Sequence, residues 1–451
     1  MHDPQALLRA GDAARHALAR RRFDLDLDQL GELVGRRKDL GTELDKLRAE
    51  ANRLAKDGDR GPVADGVSDA HERARQLKRA LQKLEGRHKA AESAVTDFVL
   101  AVPNLPAAQV PDGVSEDDAV ELRRFGNPLV PDFEVRHHAD LGEQTGQLDL
   151  RRAAKLSGSR FSVTSGPMAV LQRALASFFL DLHTEVHGYR EHTVPTLVTR
   201  ETMTGTGQLP KFEEDLFRTV VGERELFLIP TAEVPLVNLY AGETLTAAQL
   251  PLAMTAHTQC FRSEAGSYGR DTRGIFRLHE FGKVEMVRLC RAEDAAVELD
   301  RLVGHAEDCL RRLGLAYRVV SLPAGDLGFS AEVTHDIEVW LPSQQRYREI
   351  SSCSNCGQFQ GRRARIRVKD QDGSKAFAAT LNGSGLPIGR TLIALLEQHQ
   401  EADGGVRIPA ALVAYTGFER IAPDGSVERT CPGVAEHVSR GSEFDQCSDR
   451  R

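Results

Sequence analysis

From residue 27 to about residue 98, apolar or small residues recur at alternating steps of three and four. The first run is Leu33, Leu40, Leu44, Leu47, Ala51 and Leu54. The second is Ala70, Ala74, Leu77, Leu81, Leu84, Ala91, Val95 and Phe98, with breaks at Arg37 and His88. That period lays one apolar seam along a helix and leaves its outer faces charged. Asp57-Gly58-Asp59-Arg60-Gly61-Pro62 separates the runs and is a strong helix breaker. The pattern therefore predicts one antiparallel helical hairpin. About 30 residues per helix at 1.5 Å each give an arm roughly 45 Å long. A dimerising coiled coil would show the same seam, and pattern alone leaves both readings open.

Beyond the hairpin the pattern changes. Pro103, Pro106, Pro111, Pro128 and Pro131 punctuate an acidic stretch, read as a linker over 106–134 after an N-terminal unit of 1–105. Residues 135–420 are mixed. Met168 to Val186 has the spacing of a helix, with Pro167 near its start and Gly188 past its end. Asp294 to Leu313 is a second helix, and Leu392 to Leu396 begins a third. Short β-rich runs fill the intervals: Leu226–Ile229, Met254–Glu264, Ile275–Leu289, Ile337–Leu341, Tyr347–Ser352 and Phe377–Leu381. Helices are too few to alternate with strands, so the expected class is α+β, a largely antiparallel sheet flanked by helices. The polar, Gly/Ser-bearing tail 421–451 is expected to be disordered.

Composition narrows the class. The 451 residues are 41% hydrophobic and 28% charged, ordinary for a soluble globular protein. Seven cysteines, an odd number thinly scattered, fit a reducing compartment better than a disulfide scaffold. No run approaches the roughly 18 apolar residues of a membrane span, and the charged N-terminus lacks the apolar segment of a secretory signal. No membrane partner and a cytoplasmic location are expected. The net charge of −7 argues mildly against a nucleic-acid partner, but it is unevenly spread. Residues 36–60 hold eight Lys/Arg against six Asp/Glu, and 69–92 hold seven against four. The arm is therefore about +5 and the remainder about −12, which makes the arm a candidate binder of phosphate backbones.

Candidate chemistry concentrates in three segments. Cys260 to Gly274 (CFRSEAGSYGRDTRG) reads as a strand end, a polar loop and a returning strand. By the period of two, Arg262 and Glu264 share a face of the first strand, and Arg277, His279, Phe281, Lys283 and Glu285 share a face of the second. Such a row can clamp a nucleotide. Arg262 would take a phosphate, Phe281 and Arg277 would sandwich a base, and Glu285 would receive an ammonium or hydroxyl. Pro230-Thr231-Ala232-Glu233 puts a hydroxyl and a carboxylate at another strand end. Thr380 to Thr391 reads as a strand, a glycine-rich turn and a helix whose first turn carries Arg390, where a cation is disfavoured unless it binds something. Cys353-Ser354-Asn355-Cys356 lacks a second cysteine pair, so free thiols rather than zinc are expected. The run 362–369 alternates basic and small or apolar residues, the pattern of an edge strand with one basic face, either solubilising or contacting nucleic acid. No Walker loop, G-x-G-x-x-G or H-E-x-x-H motif is present.

Taken in order, these segments resemble the bacterial-type seryl-tRNA synthetases, a family of class II aminoacyl-tRNA synthetases. The residues that carry the resemblance are Gly205 to Phe212, Thr231-Ala232-Glu233, Phe261 to Arg273, Glu349 to Cys356 and Leu381 to Arg390, following the hairpin. The resemblance implies ATP-dependent activation of L-serine and transfer to serine tRNA (and to selenocysteine tRNA where an organism has one). It implies that Arg262 and Arg390 hold ATP phosphates and act in catalysis with Glu349. Phe281 would stack on adenine with Arg277 nearby, and Ser263, Glu264, Glu349, Ile350, Ser351 and Ser352 would contact ATP. Glu349 and Ser352 would hold Mg²⁺. Thr231, Ala232, Glu233, Arg262, Glu285, Asn382 and Ser384 would form the serine pocket. The basic arm becomes the clamp for serine tRNA, and Pro195 falls at a homodimer interface. Glu280, Gly282, Tyr268, His335, Gly357-Gln358 and Gly361 depart from the family's usual residues, the first three near the expected ATP site. Two other roles are compatible with the pattern: a duplicate synthetase serving natural-product biosynthesis or self-resistance, and a non-catalytic RNA-binding paralogue. The intact Arg262, Glu285 and Arg390 argue against the second.

Overall fold

The computed structural model of the chain describes residues 1–58, 67–128, 130–265, 269, 271 and 273–429. Asp59 to Pro62 of the helix breaker, Tyr268 and the tail from 430 lie outside the described residues. Two compact units result, Met1–Ala108 and Gln109–Arg451.

The first unit is helical. Two short helices, Pro4–Ala10 and Asp12–Ala19, precede the long helices α1 (Leu27–Gly58) and α2 (Val67–Ala101). The long pair folds back on itself within one chain, which decides for the hairpin: Arg48 pairs with Glu85 at 2.9 Å and Arg73 with Glu50 at 3.0 Å. The seam is buried at Leu40, Leu44, Leu84 and Ala91, with Leu47 and Leu81 packed against it. At its base, Leu30, Val34, Val95 and Val99 join Leu7, Leu18 and Leu25 of the short helices and their loop in a second core. The described Lys and Arg side chains of 36–56 and 73–89 are exposed, except half-buried Arg37.

The second unit is built on an eight-stranded sheet. Its strands are β1 (Val120–Phe125), β2 (Arg190–Glu191), β3 (Leu252–Phe261), β4 (Glu280–Cys290), β5 (Tyr317–Ser321), β6 (Val333–Leu341), β7 (Arg346–Asn355) and β8 (Ala379–Pro387). The order is β1-β5-β6-β7-β8-β4-β3-β2, antiparallel throughout except for β2 against β3. Three helices flank it: α3 (Gly166–Asp181), α4 (Ala295–Arg312) and α5 (Ile388–Gln398), which follows β8 directly. Helix α4 lies close over β8: a Cβ on Gly383 would sit 3.1 Å from Leu302, besides 2.7 Å from Cys353 Sγ of the neighbouring β7.

Four expectations are corrected. The proline-rich stretch 106–134 is not wholly a linker: Val120–Phe125 is the edge strand β1, paired with β5 but exposed along its length, so it carries no alternating apolar signature. The tail does not start at 421, because Arg420–Ile421 and Val427–Glu428 pair as a hairpin. Gly383 and Gly385 lie in a continuous strand, not a turn, and Gly389 is already in α5; a side chain at Gly383 would meet Leu302 of α4, and one at Gly385 would meet His183. The basic run 362–369 is not an edge strand. Phe359–Ala364 is helical, and Arg367–Lys369 is the central strand of a small three-stranded sheet, with Ile366 and Val368 buried.

Two irregularities of register shape the centre of the sheet. Between β6 and β7, Ile337 faces Ser351 and Glu338 faces Glu349, so Ile350 is an extra residue. Between β4 and β8, Val284 faces Leu386 and Glu285 faces Ser384, so Gly385 is the extra residue. Each bulge re-aims the side chains beside it.

Candidate active site

The centre of the sheet carries a buried polar cluster. Phe281, Lys283 and Glu285 alternate along β4 and share a face, as its regular pairing with β3 requires. Thr231 Oγ1 donates to Glu285 Oε2 at 3.0 Å and accepts from Lys283 Nζ at 3.0 Å, while Lys283 and Glu285 form an ion pair. Glu285 is 1% exposed and its Oε1 has no partner. Glu233 begins the helix Glu233–Asn238 and accepts from Gln360 Nε2 at 2.6 Å. Gln360 is oriented by the Thr380 hydroxyl, 2.6 Å away. Burial, with the nearby Glu285 charge adding to it, pushes the Glu233 carboxyl up to about 7. A buried set of two carboxylates, one hydroxyl and one ammonium suits a small ligand that carries both an ammonium and a hydroxyl.

Arginines and rings adjoin the cluster. Arg262 donates from Nε to the Pro230 carbonyl at 3.3 Å and lies over the Phe281 ring, 5.3 Å from its centre. Arg390, in the first turn of α5, donates to the Glu349 carbonyl at 3.0 Å and pairs with its carboxylate at 3.2 Å. The Arg390 charge holds the Glu349 carboxyl below the ordinary carboxylate range although burial opposes this. Arg262, Glu264, Arg277, Phe281, Lys283, Glu349, Ser384 and Arg390 line one small cavity of about 50 Å³. A neighbouring cavity of about 460 Å³ shares Phe276, Arg277, Glu349 and Arg390 and adds Arg318, Arg346 and Arg348.

The bulges explain how strand residues converge there. Glu349 and Ser352 are three apart and would point to opposite sides of a regular strand. The extra Ile350 turns both to the side of Glu338 and Asp336, their partners on β6. Likewise Gly385 sets Ser384 opposite Glu285.

Several expected residues are placed differently. Arg277 and His279 precede β4 and are not part of its face. Arg277 pairs with Glu264 at 2.6 Å, and the cation over Phe281 is Arg262. Glu264 lies past the end of β3 with φ +55°, so it does not share a strand face with Arg262. The Ser263 hydroxyl is committed to the Glu214 carbonyl at 2.9 Å. Ala232 packs in the core beside Leu236 and Val237. Ile350 is buried, and the Ser351 hydroxyl donates to the Ser384 carbonyl at 2.7 Å, so neither side chain lines the arginine cavity. Asn382 shares the Ser384 side of β8, with Oδ1 3.8 Å from Cys356 Sγ. Glu280 and Gly282 line a separate groove of about 540 Å³ against α3, with His257 and Gln259. Cys353 and Cys356 are buried and not joined in a disulfide.

Sequence reasoning gave Lys283 no role of its own and passed over Gln360 and Phe276. Lys283 had a visible signal, a cation in phase with Phe281 and Glu285. Phe276, whose ring lies between Arg348 at 3.9 Å and Arg390 at 4.7 Å, had none. Among the described residues His137, His138 and Glu397 lie close enough to share a metal ion, but their donor atoms are engaged. The Ile275 N–H donates to His138 Nε2 at 3.3 Å, so Nδ1–H donates to Glu397 Oε1 at 2.9 Å. Glu397 Oε2 takes the Ser343 hydroxyl at 2.7 Å, and His137 Nδ1 takes the Ala139 N–H. The trio is a clasp between α5 and the segment leading into β4.

A largely antiparallel sheet whose centre carries an arginine-lined cavity, in a sequence without a glycine-rich phosphate loop, is the arrangement of a class II aminoacyl-tRNA synthetase. Residues 217–399 match the family model of the class II tRNA synthetase core domain (G, H, P, S and T), and residues 1–106 match that of the seryl-tRNA synthetase N-terminal domain. The chain is 60% identical to serine–tRNA ligase 2 of Streptomyces avermitilis, over 94% of this chain and 100% of that one. It is 50% identical to the serine–tRNA ligase of Nitratidesulfovibrio vulgaris, over 93% and 100%. The solved seryl-tRNA synthetase of Pyrococcus horikoshii complexed with ATP is similar, with a TM-score of 0.83 and 33% identity over 94% of this chain and 100% of that one. The chain belongs to the seryl-tRNA synthetase family.

Proposed function

We propose that the chain is a serine–tRNA ligase that activates L-serine with ATP in the cavity between Arg262 and Arg390 and transfers it to serine tRNA. The observation that carries this reading is the buried Thr231–Glu233–Lys283–Glu285 cluster beside the arginine cavity. The serine ammonium and hydroxyl bind between Glu233, Thr231 and Glu285, with Ser384 and Asn382 supporting the pocket. Phe281 stacks on adenine, and Arg262 and Arg390 neutralise phosphate charge. A serine carboxylate oxygen attacks the α-phosphorus, the bond to pyrophosphate breaks, and seryl-adenylate remains. A terminal ribose hydroxyl of tRNA then attacks the seryl carbonyl and AMP leaves. The site supplies orientation and fixed positive charge, and this two-step chemistry needs little else.

The residues present fit Mg²⁺. Glu349 and Ser352 offer hard oxygen ligands on one side of β7, and buried Asp336 beside them has an oxygen without a partner. Mg²⁺ bound there would neutralise phosphate charge.

Serine tRNA fits the exposed basic faces of α1 and α2 as a shape-read phosphate backbone; selenocysteine tRNA would be served by the same reaction. The groove against α3 and the exposed Leu197 beside Pro195 are read as the homodimer face, for which sedimentation should give twice the chain mass. Among the described residues no helix is long and apolar enough to cross a membrane, and we read the site of action as the cytoplasm. The deciding assay is serine-dependent ATP–pyrophosphate exchange followed by charging of serine tRNA. Exchange with serine alone among amino acids is expected, and none with any amino acid would overturn the reading.

A further inference from the structure

The bulge residue Gly385 is held from beneath by a chain of buried and half-buried side chains that the reaction itself does not use. Glu285 and Ser384 face each other across β4 and β8 only because Gly385 is extra. Its carbonyl is met by His183 Nε2 at 2.8 Å. A carbonyl only accepts, so the imidazole carries its proton on Nε2. His183 is 0% exposed, and burial keeps its ring neutral by lowering its pKa to about 4, which leaves Nδ1 as an acceptor. His187 Nδ1 lies 3.0 Å from that nitrogen, and His187 Nε2 lies 3.1 Å from Asp308 Oδ2. The His187 ring also stacks on His305, centres 4.2 Å apart. Cys309 Sγ is a weaker neighbour, 3.8 Å from the same carbonyl and 3.7 Å from His183 Nε2. Both His183 and His187 lie in or next to the wide π-helical turn Leu182–Val186 that ends α3, and their spacing of four puts the two rings on one side. Gly385 cannot be replaced, because a Cβ there would run into the His183 ring. The adjoining carbonyl, of Ser384, is fixed by the Ser351 hydroxyl at 2.7 Å.

We propose that His183 is a positioning residue for the serine pocket, holding the Gly385 bulge so that Ser384 stays opposite Glu285, with His187 and Asp308 orienting its ring. The proposal rests on the reading of Glu285 and Ser384 as serine contacts. The groups read as ATP contacts come mainly from other positions, Arg262 past the end of β3, Phe281 on β4, Arg390 in the first turn of α5 and Glu349 beside the bulge in β7, so loss of His183 should act more on serine than on ATP.

The test is ATP–pyrophosphate exchange by the full chain with His183→Leu, His183→Gln and Glu285→Ala in parallel. His183→Leu removes the donor and should raise the serine KM about tenfold, with the ATP KM changed less than about twofold. His183→Gln keeps an N–H where Nε2 stood and should stay within about threefold of wild type. Three results overturn the proposal: an unchanged serine KM in folded His183→Leu, serine and ATP KM rising together, or a glutamine variant as impaired as the leucine one. If Glu285→Ala also leaves the serine KM unchanged, the pocket reading fails; if Glu285→Ala raises it and His183→Leu does not, only the role of His183 fails. Should His183→Leu not fold, His187→Leu decides by the same split, with a smaller rise in serine KM expected.

Discussion

Glu233 makes the serine affinity depend on pH in a direction that can be worked out. Its carboxyl is buried beside Glu285 and ionises only near pH 7, against the ordinary value of 4.5. A serine ammonium binds the ionised form and not the protonated one. The serine KM should therefore follow a factor of one plus the ratio of proton concentration to the ionisation constant, about twofold at pH 7 and about tenfold at pH 6 relative to pH 8.5. The stability linkage has the matching sign. The folded carboxyl binds its proton more tightly than the unfolded one, so the ligand-free protein loses stability as pH rises from about 4.5 through 7, on the order of 3 kcal/mol. Serine, by supplying a cation, should offset part of this and release a proton on binding. The assay is pyrophosphate exchange at fixed saturating ATP from pH 6 to 8.5, with Glu233→Gln alongside. The glutamine variant should have a higher serine KM and a flat profile. A flat wild-type profile, or an undiminished slope in Glu233→Gln, would refute the reasoning.

Other outcomes follow from the same geometry. Glu285→Ala should raise the serine KM at least tenfold, by about 1.4 kcal/mol or more, since Thr231, Lys283 and the substrate all lose their acceptor; wild-type serine kinetics would remove it from the pocket. Replacing residues 41–88 by a short Gly/Ser linker should leave adenylate formation intact and abolish tRNA charging. Gly41 and His88 face each other across the hairpin, so the cut spares the core around Leu30 and Val95. Full charging by that variant would show that the arm is not the tRNA clamp. Glu397→Ala strands the buried His138 and the Ser343 hydroxyl and should cost roughly 3 kcal/mol, a fall of about 4 °C in melting temperature; calorimetry showing no shift would mean the clasp is not a stabilising element.

What was legible in the sequence was local. The heptad seam announced the hairpin because burial of Leu40, Leu44 and Leu84 depends only on helical period. The phase of Phe281, Lys283 and Glu285 was readable because β4 is regular against β3. What was not legible was pairing. Val120–Phe125 looks like linker because an edge strand with both faces exposed has no apolar alternation. Asn382 to Gly389 looks like a turn because glycine is read as flexibility, whereas here it makes room for Leu302 and for the His183 ring. Arg277 was assigned to a strand that starts three residues later, so its partner is Glu264 and the ring of Phe281 goes to Arg262. Ile350 and Ser351 fell inside a recognisable motif, yet a bulge invisible in one strand's sequence turns their side chains away from the cavity.

The two extra residues, Ile350 and Gly385, place an unusual constraint on how this site can change. A substitution at Ser352 or Ser384 alters one functional group and leaves its neighbours aimed as before. Deleting or inserting one residue elsewhere in either strand would instead exchange inside for outside along everything beyond it. The strands that meet at the centre are thus tolerant in composition and intolerant in length, so variants with altered substrate preference should be sought by replacement alone, with insertions confined to the loops.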